Sequence, residues 1–420
     1  MQYAKKQVVI LGAGYAGLMA AMRLAKKTRS SQVEITLVNA ADTFNERVRN
    51  HQLAANQPLR HLPLTDFLAG TPIQFLQGKV TALQLSQRQV AVESMGGSRL
   101  VEYDYLVYTL GSFITTEAVP GVPEHAYTLD QYSAEALRQR LPNVAAQGGQ
   151  LLIVGGGNTG VEVATELAET YPGLRIALVT RHSFAHNLSK KAQDYIRRAF
   201  ARFGIEFLEH TAISELQQGY ATTAGGRTLP FDLCIWVGGF GVSHIPQMAG
   251  IRVNERGQIL IDRAMRSLSH PEIYALGDSA IPAEEPGAPI RMSLYTAIMM
   301  GAHGADCLAA HLNVKSPTAF GLSYIALGLS LGRRDGVVQF LDWDKDTPLN
   351  LIFTGQLANR TREFFVNFAV WAIKMQRTMP WVFDWPGKYK MRKVKVPTSI
   401  QDPVAPRPIL SQVVAPTEQQ

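Results

Sequence analysis

The chain has 420 residues, of which 46% are hydrophobic and 18% charged, and a net charge of +7. That length exceeds what one ordinary core supports and calls for two or three domains, while the apolar content excludes a disordered or fibrous chain. The modest basic excess admits anionic partners without selecting any of them.

The first predicted element is an apolar β-run, Val8-Val9-Ile10-Leu11, which leads into Gly12-Ala13-Gly14-Tyr15-Ala16-Gly17 and a helix over 15–27. Lys5 and Lys6 ahead of it resemble the start of a secretory leader, but the stretch carries a glycine fingerprint that a working protein must keep. In a G-x-G-x-x-G turn the glycines permit a tight bend, close backbone approach to a pyrophosphate, and helix–strand packing. The helix N-terminus then offers free N–H groups to the anion. A second strand of this unit spans 33–39, and another, Leu106-Val107-Tyr108, ends in Thr109-Leu110-Gly111-Ser112. The run Ala118-Val119-Pro120-Gly121-Val122-Pro123 reads as a crossing between domains.

The pattern recurs at 148–182, where Leu151-Leu152-Ile153-Val154 leads into Gly155-Gly156-Gly157-Asn158-Thr159-Gly160. Two such units predict two dinucleotides, and hence electron transfer between them. A helix over 190–203 follows, then strands ending in Leu233-Cys234-Ile235-Trp236-Val237-Gly238-Gly239, then Gln258-Ile259-Leu260-Ile261-Asp262, then Glu272-Ile273-Tyr274-Ala275-Leu276-Gly277-Asp278. From about 320 the character changes to strands such as Gly336–Phe340, an apolar helix and a basic stretch. The prolines of 397–420 predict a disordered tail. The expected class is α/β, with two Rossmann-like dinucleotide-binding domains and a C-terminal α+β region. The expected domains are 1–117 with 246–320, then 118–245, then 321–396. No run of eighteen apolar residues suggests a spanning helix. Two distant cysteines, Cys234 and Cys307, offer neither a disulfide framework nor metal-ligand spacing and suit a reducing, cytoplasmic compartment.

Two glycine turns with an intervening T-x-G-S and a later I-Y-A-x-G-D form an ordered set that resembles the two-dinucleotide-binding flavoproteins with glutathione-reductase-like folds. Within them the chain looks most like type II NAD(P)H dehydrogenases and their apoptosis-inducing-factor-like relatives. The resemblance implies FAD held by Gly12, Gly14, Ala16 and Gly17, with Asp278 at its ribityl and phosphate region, the Val80 backbone at the adenine, and Thr109 and Gly111 near the crossing. It implies NADPH or NADH on Gly155, Gly157, Asn158, Thr159 and Gly160, with Glu162 near the nicotinamide and Gly238 and Gly239 closing the site. Thr296 and Ala297 would lie by the flavin ring. No metal is expected.

The chain departs from the family pattern at several points. Asn39 stands where an acid normally bonds the adenosine ribose; an amide still accepts and donates there. Arg47 reads either as a phosphate or ribose contact or as part of a solvated helix start. The second unit's strand ends in Thr180-Arg181-His182, with no carboxylate to repel a 2′-phosphate, so Arg181 favours NADPH; dual use with a solvent-facing Arg181 is the alternative. Neither cysteine has a close partner, which argues against disulfide reduction and sulfide oxidation. Where quinone-reducing relatives carry glutamine, this chain has Ile298 and Met300, predicting a greasier site, and His303 reads as structural or as a proton donor.

From Arg360 to Met379 the polar residues Arg360, Glu363, Asn367, Lys374 and Arg377 form a stripe, opposed by Phe364, Phe365, Phe368, Trp371, Ile373 and Met375. Trp381, Phe383 and Trp385 follow, then Lys388, Lys390, Arg392, Lys393 and Lys395. Aromatics beside a basic cluster suit contact of 360–395 with the inner face of the cell membrane; packing on the FAD domain or in a homodimer is the alternative. No nucleic-acid motif accompanies the basic run. The leading expectation is an FAD-dependent enzyme passing electrons from NAD(P)H to a quinone-like acceptor. The alternatives are a soluble reductase for a protein or biosynthetic acceptor, and a redox-sensing flavoprotein.

Overall fold

The computed structural model describes residues 5–185, 187–283, 290–343 and 345–382. The basic cluster from Lys388 to Lys395, Phe383, Trp385 and the proline-rich tail lie outside these residues.

Val8 to Leu11 are all but fully buried, as expected of a strand covered on both faces. The strand Lys6–Leu11 lies at the centre of a five-stranded parallel sheet. Tyr105–Tyr108 and then Ile273–Ala275 flank it on one side, Val33–Asn39 and then Ile73–Gln77 on the other. A three-stranded antiparallel meander, Lys79–Gln84, Gln89–Ser94 and Gly97–Glu102, follows the last of these. The second unit repeats the plan. Gln150–Val154 is flanked by Arg175–Val179 and Glu206–Leu208 on one side and Leu233–Trp236 on the other, all parallel. Its own antiparallel meander runs through Ile213–Gln217, Tyr220–Thr223 and Thr228–Pro230.

The two units are joined by the antiparallel pair Ser112–Ile114 and Phe240–Val242, so the chain crosses between them just upstream of the predicted Pro/Gly-rich stretch. Trp236 Nε1 donates to Thr115 O (2.9 Å) and Gly238 O (3.1 Å), tying the two crossings together. The chain then returns to the first unit, where helix Leu294–Leu312 packs against helix Tyr15–Lys27. Small residues set that approach: a Cβ on Gly301 would lie 2.6 Å from Ala16 O. A final antiparallel sheet, Ala326–Ser330, Gly336–Leu341 and Pro348–Thr354, precedes helix Gly355–Met375.

That last helix departs from the stripe reading. Its buried face consists of Ala358, Val366, Ala369, Val370, Ala372 and Ile373 together with Arg362, while Phe364 and Phe365 are each more than 60% exposed and Trp371 is also exposed. Glu363 and Asn367, read as part of the polar stripe, reach Arg49 at 2.6 and 3.2 Å, Glu363 half-buried and Asn367 exposed. Helical periodicity separates polar from apolar residues, but the surface each meets is set by the rest of the fold. Arg23 pins the far end: its guanidinium bonds both carboxylate oxygens of Asp306 (2.6 and 2.9 Å), Gln376 Oε1 (2.8 Å) and Pro380 O (2.7 Å).

Candidate active site at the crossing of two dinucleotide cradles

The two glycine turns have the same steric anatomy. Gly12 has φ +96°, and a Cβ there would lie 2.7 Å from Thr109 O; one on Gly17 would lie 1.9 Å from Gly12 O. Gly155 (φ +127°) is closed by Val237 at 2.9 Å, and Gly160 by Gly155 O at 1.8 Å. Between them Gly14 and Gly157 are exposed, and a Cβ on either meets nothing within 4 Å. The outer glycines are demanded by packing, whereas the middle ones leave room above a helix N-terminus, the place for an anion.

The structure places each predicted residue. Thr109 is buried, and its hydroxyl donates to Leu11 O and Gly12 O (2.7 and 3.0 Å), so it braces the first turn. Gly111 adopts φ +69°. Asn39 Oδ1 accepts from Ala13 N (2.9 Å) and its Nδ2 donates to Ala41 O (2.8 Å), so it too holds the turn. Val80 is buried at the start of the first meander, opposite Val92. Arg47 donates to Ser112 O at 2.6 Å, and Ser112 Oγ donates to Asp278 Oδ2 at 2.7 Å. Asp278 Oδ1 is buried with no protein partner. Burial pushes the Asp278 carboxyl above the usual range, against the opposing pull of Ser112, Arg47 and the Ser293 N–H. An orphaned buried acceptor is costly unless something fills its need, and a cofactor bearing hydroxyls would do so. Open cradle and unfilled acceptor together fit FAD.

Gly277, at φ +72°, brings this turn against both helices: a Cβ there would lie 3.1 Å from the Ala16 Cβ and 3.8 Å from the Ala297 Cβ. Thr296 lies at the start of the same helix, beside Ala297. Its side chain is sealed in, with Oγ1 2.8 Å from Tyr324 OH and 2.9 Å from Ser293 Oγ, so its hydroxyl builds the helix start. Ile298 and Met300 are buried in the helix packing and do not make a greasy acceptor site. His303 is fully buried, with Nε2 3.2 Å from Cys307 Sγ and 3.3 Å from Arg263 O. Cys234 is a fully buried strand residue whose thiol burial pushes up.

In the second unit, Gly157 and Asn158 are exposed and Thr159 partly so at the helix start. Thr180 packs on the turn, since a Cβ on Gly156 would lie 2.6 Å from its Cβ. Arg181 is exposed. Gly238 leans on the Trp236 ring, and Gly239 (φ +98°) faces Thr115. Glu162 Oε1 receives Arg362 Nε at 2.8 Å and both Ser330 N and Oγ at 3.1 Å. Burial acts to raise the Glu162 carboxyl, but Arg362 foremost, then His51 and the Ser330 N–H, hold it below the usual range. His51, buried beside it, is pushed down to about 4 by burial and is neutral at neutral pH. Arg362, His51, Ser330 and Tyr324 escaped the sequence reading. His51 sat in a segment read for its arginines, and Arg362 lay off the polar stripe. No local pattern marks Ser330 or Tyr324.

Beside this network lies a cleft of about 430 Å³, walled by Arg49, Arg60, Glu166 and Arg333 among others. Glu166 there is pushed up to about 7 by burial, against the pull of Arg333 3.3 Å away. Among the described residues no cluster of His, Cys, Asp and Glu could hold a metal, and no helix is long and apolar enough to cross a membrane.

Paired Rossmann units, each with an open glycine cradle and joined through a double crossing, define a two-dinucleotide-binding flavoprotein oxidoreductase. The chain belongs to the pyridine nucleotide-disulphide oxidoreductase family, which matches residues 6–301. It is therefore an FAD-dependent oxidoreductase that uses NAD(P)H. It is 28% identical over 297 residues to an NADH dehydrogenase-like protein of Mycobacterium tuberculosis, covering 65% of this chain and 72% of that one. It is 26% identical over 366 residues to a type II NADH:quinone oxidoreductase of Staphylococcus epidermidis, covering 79% of this chain and 89% of that one. The solved NDH2 of Plasmodium falciparum, in complex with NADH, superposes with a TM-score of 0.76 at 14% identity, over 92% of this chain and 99% of that one.

Proposed function

We propose that this protein passes electrons from NAD(P)H through FAD to a quinone-like acceptor at the crossing between its two dinucleotide units. The observation that carries the reading is a run of contacts from the Gly-Asp turn to the second helix, carried over one step by the Arg47–Val48 peptide link. Asp278 bonds Ser112, Ser112 bonds Arg47, and Arg362 then spans from Val48 O (3.2 Å) to Glu162 (2.8 Å). The groups assigned to the two cofactors therefore border one region. In this reading Gly12, Gly14 and Gly17 cradle the FAD pyrophosphate and Asp278 Oδ1 accepts from its hydroxyl-bearing chain. Gly155, Gly157 and Gly160 hold the nicotinamide dinucleotide. Bound there, FAD would supply the ring that takes hydride from the nicotinamide and relays electrons onward. The chain's own contribution is to fix the two ligands in reacting geometry; no acid–base dyad is required.

Exposed Phe364, Phe365, Trp371 and Trp381, beside a basic cluster in the sequence, support docking of the C-terminal helix on an anionic membrane surface, where quinones dissolve. Arg181 supports NADPH as the preferred donor. The nearby Glu209 has both carboxylate oxygens taken, by Phe184 N (2.7 Å) and Arg197 (2.8 Å), so its charge is paired. The test is an anaerobic titration of the purified yellow protein with each nicotinamide, followed by steady-state turnover with a panel of quinones and with vesicles containing anionic lipid. Bleaching of the visible band and quinone turnover are expected. A band untouched by both nucleotides refutes the dehydrogenase, and bleaching without quinone turnover refutes the acceptor.

A further inference from the structure

The C-terminal helix reaches into the nicotinamide site through one side chain. Arg362 is buried, and its three nitrogens go to three partners, two of them on other segments: Nε to Glu162 (2.8 Å), Nη2 to Val48 O (3.2 Å), and Nη1 to its neighbour Glu363 (2.7 Å). Glu363 is itself held by Arg49 at 2.6 Å. On Glu162 the donors converge on Oε1, while among the described residues no hydrogen bond reaches Oε2.

We propose that Arg362 is a positioning residue for nicotinamide binding, holding the Glu162 carboxylate ionised and aimed with Oε2 free to accept a hydrogen bond from the ligand. The inference rests on the reading above, in which Glu162 borders the nicotinamide. The reason is electrostatic. A carboxyl buried without a counter-charge takes up a proton and becomes in part a donor, whereas an ionised carboxylate only accepts. The donor it meets on a nicotinamide is the carboxamide N–H₂. A guanidinium cannot be deprotonated in a protein and presents a rigid fork, so it fixes both the charge and the direction of its partner. The other ionisable groups facing Glu162 do not replace it. His51 is neutral, Glu363 is shared between Arg49 and Arg362, and Glu166, a turn further along, is pushed up by burial and paired with Arg333 in every variant but R333Q.

The experiment compares the flavin-loaded wild type with R362Q, R362K, E162Q, the R362Q/E162Q double variant and R333Q. R333Q severs an ion pair that the Glu162 helix makes through Glu166 with the loop before strand Gly336–Leu341, without touching Glu162. Flavin content, thermal unfolding and the dissociation constant of each nicotinamide nucleotide are measured between pH 6 and 9. R362Q should retain flavin and bind nicotinamide about tenfold or more weakly at pH 7, the effect of losing one charge-assisted bond. Its affinity should recover as pH rises, because an unpaired Glu162 ionises only at higher pH. R362K should restore most of the loss, E162Q should weaken binding without pH recovery, and R362Q should add little to E162Q. R333Q should leave affinity within about twofold. Should R362Q fail to fold, R362K decides: a modest weakening supports the role, and wild-type affinity at every pH overturns it. Equal losses in R362Q and R333Q, or an R362Q loss indifferent to pH, also overturn it. If E162Q binds as wild type, the placement of Glu162 fails and this inference with it; if E162Q weakens binding and R362Q does not, only the role of Arg362 fails.

Discussion

Alanine at the middle glycine of each cradle separates cofactor binding from folding. Gly14 has φ −75° and ψ −171°, Gly157 φ −75° and ψ −178°, both ordinary extended backbone for any residue. A Cβ at either meets no protein atom within 4 Å. Alanine there should leave the empty fold unharmed, or stabilise it by about 0.4–1 kcal/mol through the unfolded chain. The same Cβ intrudes where the pyrophosphate must approach the backbone. Losing one charged hydrogen bond costs about 1.5–3 kcal/mol, or about ten- to a hundredfold in affinity. Gly14→Ala should therefore purify with little flavin and unchanged apoprotein stability, while Gly157→Ala should keep its flavin and lose nicotinamide affinity. Gly17→Ala is the contrast: a Cβ 1.9 Å from Gly12 O forces the helix away from the strand, and overpacking of that kind costs about 1–3 kcal/mol or more. The assay is the ratio of flavin to protein absorbance, with flavin and nucleotide titrations and urea denaturation of stripped protein. Full flavin retention in Gly14→Ala would refute the cradle, and flavin loss from Gly157→Ala would reverse the assignment of the two sites.

Three more outcomes are expected. Glu166, pushed up to about 7 from 4.5, binds its proton more tightly folded than unfolded, so it favours the folded state below pH 4.5 no less than a neutral group would and weakens it as pH climbs through 7. The full difference is about 3 kcal/mol; Glu166→Gln should flatten the fall in urea midpoint between pH 5 and 8, and an unchanged slope would refute the shift. Asp306→Ala removes the carboxylate that pairs the buried Arg23 charge and should cost about 3–5 kcal/mol; a loss under about 1 kcal/mol in denaturation would show that the C-terminal end is pinned by other means. Arg181→Ala should lower NADPH affinity about ten- to a hundredfold while sparing NADH, and equal effects on both nucleotides would remove the argument for NADPH.

The two nucleotide units were legible along the chain because their requirements are local. A turn that needs φ +96° at Gly12 and φ +127° at Gly155, and close packing at Gly17 and Gly160, writes its glycines at set intervals. A strand covered on both faces is apolar without interruption. Those short-range steric demands determined the α/β class and the two cradles. Tertiary structure alone decided how the site is wired. Ser112 meets Asp278 across 166 positions, and Ser330 meets Glu162 across 168. It drew Asn39 and Thr109 inward as braces for the first turn, sealed Thr296 against Tyr324, and turned Phe364, Phe365 and Trp371 of the last helix outward while Arg362 went in. The physical reason is that a buried charge or polar group is stabilised only by whatever partner folding brings to it, and no spacing along one chain segment encodes a partner that arrives from another.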